Sequence, residues 1–140
     1  METLRDAAIE LLRGQTMFIA LRKRNLDMES PEYKKQIGDI MGTITKALEI
    51  LTGYVKQFDT MLKGKLPQEA KERITAARSF LKNVIDQVVF DFTRSQNAEV
   101  LAEAAKNIMT AKNEYWDKAR AELIEAELQP AQKEALKRAA

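Results

Sequence analysis

Residues 37–58 read IGDIMGTITKALEILTGYVKQF, and their spacing decides the fold. Ile37, Ile44, Leu51 and Phe58 recur every seven residues. Ile40/Met41, Ala47/Leu48 and Tyr54/Val55 fall between them, and Met61/Leu62 extend the series. Three apolar positions in each seven make the wide stripe of a helix packed in a bundle. Ser30-Pro31-Glu32 supplies its start: a capping hydroxyl, a proline that gives up no needed N–H, and an acid beside the helix N-terminus. Gly64 and Leu66-Pro67 mark its stop and the next start. The helix runs over residues 31–63, and at 1.5 Å per residue it is about 50 Å long.

The flanking sequence reads the same way. Residues 3–28 carry Leu4, Ala8, Leu11, Phe18, Leu21 and Leu26 on one stripe. Residues 67–93 carry Ala70, Ile74, Ala77, Leu81, Val84 and Val88 at alternating spacings of four and three. Residues 97–128 are rich in alanine, with Leu101, Ile108, Tyr115, Leu123 and Leu128 as larger core residues. Short connections make consecutive helices antiparallel neighbours. The expected fold is all-α: an antiparallel, up-down-up-down four-helix bundle over residues 1–128. Residues 129–140 form a short, loosely attached C-terminal helix or tail. The weakest boundary is Thr93–Asn97, which lacks Gly and Pro. The alternative there is one helix from 67 to 128, about 90 Å long, which would need a second chain to cover it.

Composition bounds the function. The chain has 140 residues, 45% hydrophobic and 31% charged, which suits one globular domain. It has no cysteine and no histidine, so disulfides, thiol nucleophiles, the commonest general base and the commonest metal ligand are excluded. No catalytic, cofactor-binding or metal-binding residue is therefore assigned, and no cofactor is expected. A net charge of +2 gives no argument for nucleic acid. No apolar run suits a membrane span, and the acidic start does not suit a secretory signal, so a cytoplasmic location is expected.

Four features stand out. Gly38, Gly42 and Gly53, with Thr45 and Thr52, line the side of the 31–63 helix away from its apolar stripe. Glycine within a helix costs about 1 kcal/mol relative to alanine. Either another helix approaches this face closely, or the helix tolerates weak spots. Arg22 extends the first helix's stripe, and Asp91 extends the Ala70-Ala77-Val84 series. The two fall at the same end of the bundle and form the candidate buried ion pair. Tyr115-Trp116 holds the only tryptophan. Tyr115 is expected in the core and Trp116 at its boundary, where it joins the candidate interface. Arg22-Lys23-Arg24, with Lys34, Lys35 and Arg94, and the carboxylates Glu99, Glu103, Glu122, Glu125 and Glu127, read as solvated helix charge. Carboxylates alone would suit only Mg²⁺ or Ca²⁺.

Leu4-Arg5-Asp6-Ala7-Ala8-Ile9, Thr45–Leu51 and Trp116-Asp117-Lys118-Ala119 occur in that order. These stretches faintly resemble the flagellin export chaperones, small helical bundles that wrap a disordered client. The gap between the first two stretches is longer than in that family, and no functional residue follows from the resemblance. The expected function is a protein-protein interaction module, an adaptor, assembly factor or secretion-type chaperone that uses a helix face. The alternative is a structural homo-oligomer whose glycine face is its own interface. A carboxylate- or cofactor-dependent enzyme ranks third. The partner is another protein or a second copy, with neither nucleic acid nor membrane expected.

Overall fold

A computed structural model describes residues 2–140. Among the described residues there are five helices and no strand. Helix α1 is Leu4–Lys23 and α2 is Pro31–Leu62. Helix α3 runs as Gln68–Asp86, passes through a π-helical segment, Gln87–Phe92, and ends with Thr93–Ser95. Helix α4 is built likewise from Ala98–Thr110, a π-helical segment Ala111–Trp116, and Asp117–Leu123. Helix α5 is Pro130–Arg138.

Helices α1, α2 and α4 start on side-chain caps. Thr3 and Asp6 form a reciprocal pair on α1: the Asp6 N–H donates to Thr3 Oγ1 at 3.2 Å, and the Thr3 N–H donates to Asp6 Oδ2 at 2.8 Å. The Thr3 N–H is the main cause that holds the Asp6 carboxyl below its ordinary pKa. Ser30 Oγ accepts from the Tyr33 N–H at the head of α2, and Asn97 Oδ1 accepts from the Glu99 N–H at the head of α4.

Two non-glycine residues in the left-handed region set two of the stops. Asn25, at φ 50°, ends α1 at Lys23 rather than near residue 28. Gln96, also at φ 50°, separates α3 from α4, so the continuous 67–128 helix is excluded. Helix α4 also stops earlier than its apolar pattern suggests. The Ala126 N–H turns back to the Leu123 carbonyl at 3.2 Å, and extended backbone at Gln129 then leads into α5.

Helix α1 packs against α2 and the first part of α4; α2 also holds α3 and α5, and α3 packs on the second part of α4. Leu11, Ile44, Leu51, Phe58, Ile74, Leu81, Leu101 and Ile108 are fully buried between them. Each such side chain contributes about 1.5–3 kcal/mol by leaving water. Gly14 lets α1 come close: a Cβ there would lie 3.3 Å from Ile44 Cγ1 and 3.8 Å from Leu101 Cδ1.

The π-helical segments change which residues face inward. A regular helix would return to Val84's face seven residues later, at Asp91, and to Ile108's face at Tyr115. Each π segment holds one extra residue in its turn. The inward positions become Phe92, 4% exposed, and Trp116, 2% exposed. Asp91 is exposed and Tyr115 only half-buried. Both expectations for these positions are thus corrected by the same one-residue shift. Trp116 lies against Phe58, with ring centroids 4.9 Å apart, and its Nε1–H donates to the Ala139 carbonyl at 3.0 Å.

That bond fixes one end of α5, and Gln132 fixes the other. Gln132 is 1% exposed. Its Nε2 donates to the Met61 carbonyl at 2.8 Å and to the Lys65 carbonyl at 3.2 Å, while its Oε1 accepts from the Gln129 N–H. The side chain fills the space where a Cβ on Gly64 would lie, so any larger residue there would have to displace the Gln132 amide from its bonds. Ala135 and Ala139 are buried as well. The expected loose attachment of this segment is therefore corrected: its anchors are polar bonds and small side chains, which an apolar pattern does not display.

Deleting the exposed Asn113 should convert the second π segment into ordinary α-helix with Trp116, Ala119 and Leu123 still on the inward face. The variant is expected to keep its unfolding free energy within about 1 kcal/mol of the parent in urea titration. A chain that fails to fold contradicts the register described.

Candidate protein-binding face

Helix α2 has two opposed faces. Its inner face is Ile40, Ile44, Ala47, Leu51, Tyr54, Val55, Phe58 and Met61, all buried. Burial raises the Tyr54 hydroxyl pKa above its ordinary value, so the group is neutral at physiological pH. Gly38, Gly42, Thr45, Thr52 and Gly53 are all exposed on the outer side, as their spacing predicts.

These glycines differ from Gly14 and Gly64. A Cβ built on Gly38, Gly42 or Gly53 meets nothing within 4 Å. No close approach within the chain requires them, and none lies at positive φ. Beside Gly53 the surface dips into a hollow of about 270 Å³, lined by Glu2, Glu49, Ile50, Tyr54 and Gln57. Met41, 38% exposed, lies on the same helix. Lys46, in the middle of α2, reaches Glu2 at 3.4 Å and Glu10 at 3.8 Å. The exposed side chains of Glu49 and Lys56 stand on this side as well, so the open spots are local to the glycines.

Trp116 is not part of this surface, because the π segment turns it into the core. The proposed interface set is therefore reduced to the α2 residues. The candidate ion pair does not form either. Arg22 is exposed, donates to the Gln96 carbonyl at 3.3 Å and stands over the Phe18 ring at 5.6 Å. Phe92 takes the inward place expected of Asp91 and meets Phe18 edge-on at 5.4 Å. An aromatic pair of this kind contributes about 0.5–1.5 kcal/mol beyond its buried area.

Several charges elsewhere are paired. Arg24 pairs with Glu32, Lys34 with Glu29 at 3.5 Å, Arg73 with Glu122, and Arg78 with Asp59. Among the described residues no three acidic side chains converge on a metal-sized space, and no helix is long and apolar enough to cross a membrane. Sequence reasoning missed Gly14, Gln132 and both π segments, and it read Gly64 as a helix stop without the Gln132 amide packed against it. The eight-residue step from Ile108 to the only tryptophan was the one available signal for the second π segment.

Compared with known proteins, the chain matches no protein-family profile, no curated protein and no solved structure. The resemblance to flagellin export chaperones is accordingly carried no further.

Because the space around the outer glycines is open, Gly38→Ala, Gly42→Ala and Gly53→Ala should each stabilise the isolated protein by about 0.5–1 kcal/mol, read by denaturant titration. Destabilisation by any of them would show that the face is already covered within the chain.

Proposed function

We propose that the protein is a protein-binding module whose outer α2 face receives a helix of another protein. The observation that carries this reading is the open space around Gly38, Gly42 and Gly53. Each glycine weakens α2 by about 1 kcal/mol and serves no contact in the chain. A helix that approaches closely along the same line would gain from all of them at once. The frame behind the face is an antiparallel, up-down-up-down bundle of α1 to α4. Contacts that support this order are Lys46 to Glu10, Phe18 to Phe92, Asp59 to Arg78 and Phe80 to Tyr115. The lack of cysteine and histidine favours binding over catalysis.

The test is a tagged pull-down from the source cells, with Gly42→Lys beside the parent. Gly42 is exposed, so the variant is expected to fold. The reading expects a specific protein that the parent retains and the variant loses. Adding that protein should also slow amide exchange over residues 38–53. Equal capture by both proteins would overturn it. Recovery of the chain alone with a multimeric native mass would favour a homo-oligomer instead.

A further inference from the structure

A second surface lies between the last turns of α4 and α5. Helix α5 packs on α2 and does not close against α4 along this side. The gap is a groove of about 440 Å³. Its apolar residues are Ala121, Leu136 and Ile124, which is 79% exposed and the most exposed large apolar side chain among the described residues. Water contact at that position is unfavourable and nothing in the chain relieves it.

The charges around the groove are one-sided. Arg120, Lys133 and Lys137 line it, and among the described residues none has an acidic partner within ion-pair distance. The acid in the lining is Asp117, whose carboxylate is already held by Lys112 at 2.7 Å. An apolar floor with uncompensated positive edges calls for a ligand with apolar side chains on one face and carboxylates beside them. The concave gap between two helices suits a row of side chains from one peptide better than a flat lipid surface.

From this we infer that the groove between α4 and α5 is a docking site for an acidic, amphipathic peptide segment of a partner protein. The site is separate from the glycine face of α2 and stands whether or not that face binds a helix. Ile124 supplies the apolar contact, and Arg120, Lys133 and Lys137 select for carboxylates.

The probe is a fluorescein-labelled synthetic helical peptide with leucines at every third and fourth position and glutamates between. It is titrated with the intact protein by fluorescence polarisation at low salt. Saturable binding is expected, weaker by about tenfold in Lys133→Glu/Lys137→Glu and in Ile124→Ser, and unchanged in Gly42→Lys. All of these side chains are exposed, and Trp116 emission confirms that each variant keeps its fold. Absence of saturable binding overturns the inference. So does equal binding of a peptide with lysines in place of glutamates, or binding that the charge reversal leaves unchanged. Capture by phosphatidylglycerol vesicles with no binding of the peptide would overturn it in favour of a lipid surface.

Discussion

The indole of Trp116 reaches the core because α4 carries one extra residue between Ala111 and Trp116, and much of the structure rests on that shift. With the shift, the largest side chain in the protein packs at a tilt against Phe58 and donates its N–H to the Ala139 carbonyl. That bond ties down the end of α5, whose other end is tied by Gln132 to the carbonyls at the close of α2. The same device in α3 puts Phe92 beside Phe18 and sends Asp91 to solvent. A buried ion pair stabilises little once desolvation is counted, whereas an aromatic contact carries no such penalty. Inserting one residue into a helix turn is unfavourable locally, and the burial of an aromatic ring offsets it.

Helix α2 is the common neighbour of α1, α3 and α5. Its inner face is continuous apolar surface over most of its length, so its helicity is set by packing rather than by propensity. That leaves the outer face free to carry glycine and threonine, which a marginal helix would not tolerate. The exposed glycines of the outer side and the buried inner stripe are therefore two consequences of one helix. The groove between α4 and α5 arises differently. Helix α5 turns back onto α2 and meets α4 at its end through Trp116 and Ala139, which leaves Ile124 with no cover.

Most of the helical content was legible in the sequence, because a three-in-seven stripe and capped starts are local signals. Ser30 caps α2 as the residues suggest. The outer position of Gly38, Gly42, Thr45, Thr52 and Gly53 also follows from spacing alone. What spacing does not carry is a change of spacing. A period of seven projected from Val84 and Ile108 lands on Asp91 and Tyr115, and only the three-dimensional turn reveals that the step is eight. Gln132 was illegible for another reason: a glutamine in a polar nonapeptide gives no sign that distant carbonyls, at Met61 and Lys65, await its amide. Asn25 and Gln96 lie outside the glycine rule for left-handed backbone, so the ends they set were displaced or indistinct in the sequence.

The sole tryptophan reports on the shift that organises the rest. Steady-state emission of Trp116 in the unmodified protein, with acrylamide as quencher, is the most direct measurement. A ring placed inward by the π segment predicts blue-shifted emission and weak quenching that becomes strong only on global unfolding. Emission like that of free indole in water, with strong quenching in the native state, would place Trp116 at the surface and contradict the register of α4.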